Sequence, residues 1–299
     1  MVADRVVEST ENETGAAAPS DVVFTKYDRR SLTYANSFDS PLQSTVIRSI
    51  EWLTGKITII KLIRQFEKTG APSGQPFWRA ALDVMGIPLT TPQEQIDRIP
   101  AEGPVVVVAN HPHGMVDGMI LADLIGRRRP DYKILTRAIL TGIDEVAASY
   151  MIPAPFPHDP EAQVKFKEMR ADAMDLLKNG GVVSLFPSGV VASSKTMLGP
   201  AEEAEWNVFT AQLIRRSGAR VLPIFFPGAN SRWYQMANRI SATMRQGLLL
   251  HEIVHSCNKP QSPVVGEPLN DMQMELLHKN PREFMSWLRD HTLSLGQPG

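Results

Sequence analysis

The stretch VVVVANHPHGMVDGMIL, residues 105–121, decides the fold of this 299-residue chain. Four successive valines are β-branched and offer no polar face, which is the composition of a strand buried on both sides. The run MILADLIG, 119–126, is apolar and reads as the following helix. Between them ANHPHGMVDG must bend: Gly114 and Gly118 admit tight backbone conformations, and Pro112 fixes one φ angle. Short β-branched runs at 132–135, 182–186 and 221–226 are separated by helical patterns at 160–178 and 202–216. That order predicts an α/β fold, a mostly parallel or mixed central sheet flanked by helices. A short helix is expected from Phe77 to Met85, stopped by Gly86 and Pro88. Two later apolar runs, GLLLHEIVH and SPVVGEP, read as candidate edge strands.

Composition narrows the class. Lys and Arg total 31 against 32 Asp and Glu, a net charge of −1, so the basic excess expected of a nucleic-acid partner is missing. Cys257 is the single cysteine, which excludes an internal disulfide or a multi-cysteine zinc site and fits a reducing cytoplasmic setting. Residues 1–40 carry Asp4, Glu8, Glu11 and Glu13 and no apolar core, so they read as a disordered tail rather than a secretory signal. No run reaches the roughly 18 apolar residues that a spanning helix needs. The segment STVIRSIEWLTGKITIIKLIRQFEK, 44–68, repeats Val46, Ile50, Leu53, Ile57 and Ile60 at helical spacing; Ile47, Ile59, Leu62, Ile63 and Phe66 widen the stripe. Arg48, Lys56, Lys61, Arg64 and Lys68 flank it, and Gly55 is expected to break or bend it. Such a helix either packs on its own domain or lies on a lipid surface. The expected organisation is thus a tail over 1–40, an amphipathic, membrane-apposed helical extension over 41–95, and a main domain over 96–299.

Ligands of parallel α/β sheets bind where strands end. At the end of the valine strand the loop sets His111 and His113 close to Asp117, and an imidazole supported by a carboxylate is a general base at neutral pH. The plainer reading is a polar turn with Asp117 capping the helix. His-x-His with a carboxylate is also a metal-ligand spacing, which would need further ligands from His158, His251 or His255 and would make the chain a metal-dependent hydrolase. A serine hydrolase fits poorly, since FPSGV lacks the Gly-x-Ser-x-Gly elbow.

ANHPHGMVDG resembles the first motif of the lysophospholipid and glycerol-phosphate acyltransferase superfamily, commonly Asn-His, four residues, then Asp. Five residues separate His111 from Asp117 here and three separate His113 from it. The stretch Asn110 to Gly118 is similar to the Asn-His-Pro-x-Gly-x-x-Asp/Glu-Gly form of the haemolysin-like and ornithine-lipid acyltransferases, which selects His111. LFPSGVVASS, 185–194, resembles the third motif, and ARVLPIFFPGANSRWY, 219–234, the fourth. KILTRAILTGIDEVAASYMIPAPF stands where the less regular second motif belongs. The likeness covers roughly residues 80–267.

What the resemblance implies is direct acyl transfer to a lysolipid hydroxyl, of the 1-acylglycerol 3-phosphate or lyso-ornithine-lipid type. Acyl-CoA or acyl carrier protein would be co-substrate, with no cofactor or metal, at the cytoplasmic face of a membrane. His111 is the implied base and Asp117 its orienting partner. Asn110, His113, Gly114, Arg137, Phe186, Pro187, Ser188 and Gly189 are the implied substrate-binding set. The sequence departs from the family where its third-motif glutamate is replaced by Ser188 and its arginine by Val191. Arg137, Lys195 or Arg232 would then have to supply a cation, and Arg127 to Arg129 form either a lipid-facing patch or an exposed helix end. The missing glutamate also leaves open a lipid-binding homologue without catalysis.

Overall fold

The computed structural model describes residues 33–35, 40–137, 145–155 and 161–297. A long helical arm comes first: α1 (Pro41–Glu51), a π-helical turn (Trp52–Lys56) and α2 (Ile57–Lys68) follow one another without a break. Helices α3 (Pro76–Val84) and α4 (Gln93–Ile96) lead to β1 (Val105–Ala109). Alternation then sets in with α5 (Met115–Gly126), β2 (Tyr132–Arg137), α6 (Glu145–Ser149), β3 (Met151–Ala154), α7 (Ala162–Lys178) and β4 (Val182–Leu185). A small antiparallel ribbon of β5 (Ser193–Ser194) and β6 (Ala201–Glu202) precedes α8 (Val208–Ser217) and β7 (Arg220–Phe225). Helices α9 (Arg232–Ile240), α10 (Ala242–Gly247) and α11 (Leu249–Ser256) reach the short strand β8 (Val264–Val265), and α12 (Asp271–Lys279) and α13 (Pro281–Ser294) close the chain.

The main sheet has the order β3-β2-β4-β1-β7-β8, parallel throughout except for β8, which runs antiparallel to β7. The valine strand is therefore central, between β4 and β7. Its side chains alternate between two cores, as the two-residue period requires. Val105, Val107 and Ala109 pack with Phe77, Leu82, Ile120 and Leu250; Val106 and Val108 pack with Met169, Ile214, Phe284 and Leu288. A fully buried side chain of this size contributes about 1.5–3 kcal/mol, and burial on both faces fixes the strand's register.

Several expectations are corrected. GLLLHEIVH is not a strand: Leu250 and Ile253 recur at helical spacing and face the core as part of α11. The helix expected over 202–216 begins only at Val208, where the Asn207 side chain accepts the Phe209 N–H, because Ala201–Glu202 is taken by the ribbon. SPVVGEP does supply the edge strand β8. Strand β3 escapes the sequence reading because it is four residues long and contains Pro153, which a sheet tolerates at its edge.

The arm divides along its length into two edges. Ile47 and Ile59 are buried, whereas Leu42, Trp52, Leu53 and Ile57 are exposed, Leu53 by 86%. Gly55 does not end the helix. A Cβ there would come within 2.7 Å of the Leu250 carbonyl, so its absence lets the π turn press against α11. Lys56 is buried over the Trp52 ring and is no part of a basic flank. Most of the tail lies outside the described residues, but Thr33 to Ala35 are tied to the arm: the Thr33 hydroxyl and the Tyr34 N–H donate to buried Glu51, and the Ser44 hydroxyl donates to the Ala35 carbonyl.

Candidate active site

The β1 exit is built by reciprocal bonds. The Asn110 side chain donates to the Phe226 carbonyl at 2.8 Å and accepts the Phe226 N–H at 2.7 Å, which ties the exits of β1 and β7 together. Gly114 follows with φ 73° and ψ −127°, a conformation a side chain would strain, and α5 begins at the next residue. This turn brings Asp117, on the first turn of α5, back under the loop. Its carboxylate is fully buried. One oxygen, Oδ2, accepts His111 Nδ1 at 3.0 Å, the His113 N–H at 2.8 Å and the Gly114 N–H at 3.1 Å; the other, Oδ1, accepts His113 Nδ1 at 3.0 Å.

Burial pushes the Asp117 carboxyl up, but the hydrogen bonds from His111 and His113 and their charge outweigh it, and the group lies below its ordinary value. An ionised carboxylate only accepts, so each imidazole carries its proton on Nδ1 and keeps Nε2 as its basic atom. The helix N-terminus favours the same charge. The two Nε2 atoms are not equivalent. His111 lies flat on the Phe186 ring, centroids 3.9 Å apart, and its side chain is 16% exposed; His113 is 8% exposed. The Nε2 of His113 faces Gly228, where a Cβ would sit 2.8 Å away. The one carboxylate thus caps the start of α5 through the Gly114 N–H and bonds both imidazoles at once.

The β4 exit supplies Phe186 as the platform for His111. The rest of the implied binding set there is engaged in its own turn. The Ser188 hydroxyl donates to the Val190 carbonyl at 2.9 Å, and the Gly189 N–H donates to the Phe186 carbonyl at 2.9 Å. Gly189 therefore does not present its amide to a ligand. Pro187 accepts the Asn207 N–H, and the Ser188 N–H has no protein partner among the described residues.

The proposed cations fare unequally. Arg137 ends β2, and its side chain lies outside the described part of the structure. Lys195 pairs with Glu202 at 2.5 Å and is 79% exposed, while Arg232 donates to the carbonyls of Leu198 and Gly199 at 3.0 Å. The Arg127 to Arg129 triplet is tied into the fold by ion pairs, with Arg127 and Arg128 exposed. Arg127 pairs with Asp123 and Arg128 with Asp97. Arg129 is buried, donating to Asp131 and to the carbonyls of Pro100 and Gly103, and its bond holds the Asp131 carboxyl below its ordinary value.

Two residues of the site were not read from the sequence. Glu203 accepts the His111 backbone N–H at 3.0 Å, and Gly228 closes against His113. In the run AEEAEW a glutamate reads as solvated charge, and a glycine between proline and alanine reads as a turn; nothing local marks either. A metal reading fits the geometry poorly, because His111, His113 and Asp117 direct their facing atoms at one another rather than at a common centre. His158 lies outside the described residues. His251 and His255 sit on α11, against the Thr54 carbonyl and Lys259.

Residues 92–226 match the family model described as Acyltransferase. No curated protein matches the sequence. Among solved structures, the chain is similar to the 1-acyl-sn-glycerophosphate (LPA) acyltransferase PlsC from Thermotoga maritima, at 14% identity with a TM-score of 0.49. The likeness covers 75% of this chain and 79% of that one. The matched segment is somewhat under half of the chain; it holds β1, the paired histidines on Asp117, the β4 exit and the whole of β7, and over it the chain is similar to the acyltransferase family.

Proposed function

We propose that the chain moves a fatty acyl group from the thioester of acyl-CoA or acyl carrier protein to the hydroxyl of a lysolipid, with His111 as general base. The observation that carries this reading is the His111–Asp117 pair at the end of the central strand, with the His111 ring partly open to solvent. His111 Nε2 takes the hydroxyl proton, and the acceptor oxygen attacks the thioester carbonyl. The tetrahedral intermediate then collapses, and the imidazolium returns the proton to the departing thiolate. Asp117 stabilises that imidazolium, and the Ser188 N–H is an amide of the β4 turn open to the oxyanion. His113 holds the second carboxylate oxygen and keeps Asp117 in place.

The acceptor follows from the departures. Ser188 and Val191 stand where the resemblance expects a glutamate and an arginine, and Lys195 and Arg232 already have partners. A small phosphorylated acceptor then lacks the third-motif clamp that the resemblance expects. One lost charged hydrogen bond is worth about 1.5–3 kcal/mol, or roughly one to two orders of magnitude in kcat/KM. Glycerol 3-phosphate is expected to be a poor acceptor beside a lysolipid, whose tail adds apolar burial. Comparing kcat/KM for glycerol 3-phosphate, lysophosphatidate and lyso-ornithine lipid, by thiol release from one acyl-CoA, tests the reading; glycerol 3-phosphate as the best substrate would refute it.

We also propose that the protein works on the cytoplasmic face of a membrane. No helix among the described residues is long and apolar enough to cross one. The exposed edge of the arm adjoins an apolar groove of about 400 Å³, lined by Ile50, Trp233, Met236, Ile240, Met244 and Leu248. Trp233 is 68% exposed and Ile240 60%, so the apolar surface continues from the arm onto α9.

A further inference from the structure

We infer that Glu203 is a positioning residue for acyl transfer: its buried carboxylate holds the His111 peptide and stabilises the imidazolium formed when His111 takes a proton. The inference rests on His111 being the base. Glu203 lies just past the β5–β6 ribbon and is 7% exposed. Its Oε2 accepts the His111 N–H at 3.0 Å, and its Oε1 accepts the Trp206 indole N–H at 3.0 Å. On its other side the His111 carbonyl accepts the Ala192 N–H at 2.8 Å. Both halves of the His111 peptide are thus gripped by the segment that follows β4.

The grip requires a carboxylate. Two N–H donors converge on the Glu203 head group, and a glutamine or a protonated acid would set a donor against one of them. The negative charge has no cation opposite it, because no ion pair among the described residues includes the Glu203 carboxylate. Arg289 donates instead to the backbone carbonyls of Glu203 and Ala204 and pairs with Asp290. A buried charge satisfied by neutral donors alone is costly. Here it is bonded to the residue whose ring must become positive. Among the described residues, the charged and titratable groups bonded to the His111 ring and backbone are Asp117, with His113 across it, and Glu203, with Arg289 behind its backbone. Glu203 is thus a second anion beside the first.

The test separates charge from geometry. Glu203→Gln alone leaves a donor against a donor. In Glu203→Gln with Trp206→Phe, the amide oxygen can keep the His111 N–H and the clash is gone, so the geometry is retained and only the charge is lost. An NMR titration of the His111 imidazole in the full chain is expected to show its pKa about one unit lower in the double variant. With acyl-CoA and a lysolipid, the acid limb of kcat/KM moves down by the same amount, kcat falls about tenfold and KM holds within about twofold. A double variant with an unmoved titration and restored kcat would overturn the inference, leaving Glu203 as packing only. Undiminished turnover by His111→Ala, which does not touch Glu203, would overturn the base assignment and this inference with it.

Discussion

Two buried carboxylates, one at the β1 exit and one on the N-terminal arm, meet the same force with opposite outcomes. Burial pushes both up. At Asp117 the hydrogen bonds from His111 and His113 prevail and the group lies below its ordinary value of 3.8. At Glu51 the bonds from Thr33 and Tyr34 and the charges of Lys56 and Arg48 do not, and the group lies above its ordinary value of 4.5. A charge persists in an interior only where the fold surrounds it with donors. The regions differ in packing too: the strand that carries the exit loop sits between two closed cores, while the arm buries one edge and leaves Leu42 and Leu53 in solvent.

Removing the favoured charge has the largest expected effect. Asp117→Asn is expected to lower kcat by about 10,000-fold, because an amide cannot stabilise the imidazolium. His111→Ala should lose at least about 100-fold, while His113→Ala keeps a tenth or more. Thiol release from acyl-CoA measures all three, and equal losses in the two histidine variants would refute the choice of base.

The two glycines that permit close approach come next. Gly228 has φ 98° and faces His113 Nε2; Gly55 faces the Leu250 carbonyl. Alanine at either is expected to cost about 1–3 kcal/mol, seen as a lower midpoint in urea. Only Gly228→Ala should also reduce kcat, since Gly55→Ala shifts the arm and not the site.

The pH dependence of stability then separates the two acids by sign. The lowered Asp117 contributes stability that is full above its unfolded value near 3.8 and is lost as pH falls through the folded value. The raised Glu51 does the reverse: its contribution is full below about 4.5 and is lost as pH rises through its folded value. Urea unfolding across the acid range should show Glu51→Gln flattening the loss on the rising side. Asp117→Asn should flatten the loss on the falling side.

The smallest effect on stability is expected from Leu53→Ser on the exposed edge, within about 0.5 kcal/mol. Its readout is instead co-sedimentation with anionic vesicles, which should weaken; undiminished binding would remove that edge from the membrane surface.

The architecture was largely legible. Val105 to Val108, the apolar run after them and the strand patterns at 182–186 and 221–226 are local signals, and they place the His111–Asp117 loop at the sheet's C-terminal edge. α11 was misread because an apolar run of nine residues shows no clear period when a polar member such as Glu252 is itself buried. Arg129 was read as surface because a three-arginine run normally is, yet the carbonyls of Pro100 and Gly103 converge on it.

By itself the sequence determined the βα alternation, the burial of the valine strand and the residue types at its exit, since β-branching, helical spacing and glycine placement act over neighbouring residues. Tertiary structure alone decided which groups meet. It placed both imidazoles on one carboxylate and Glu203, 92 residues further on, against the His111 peptide. It also decided which edge of the arm is covered by α11. The reason is that a polar side chain's role depends on the donors and acceptors around it once water is excluded, and in the sequence those partners lie far away.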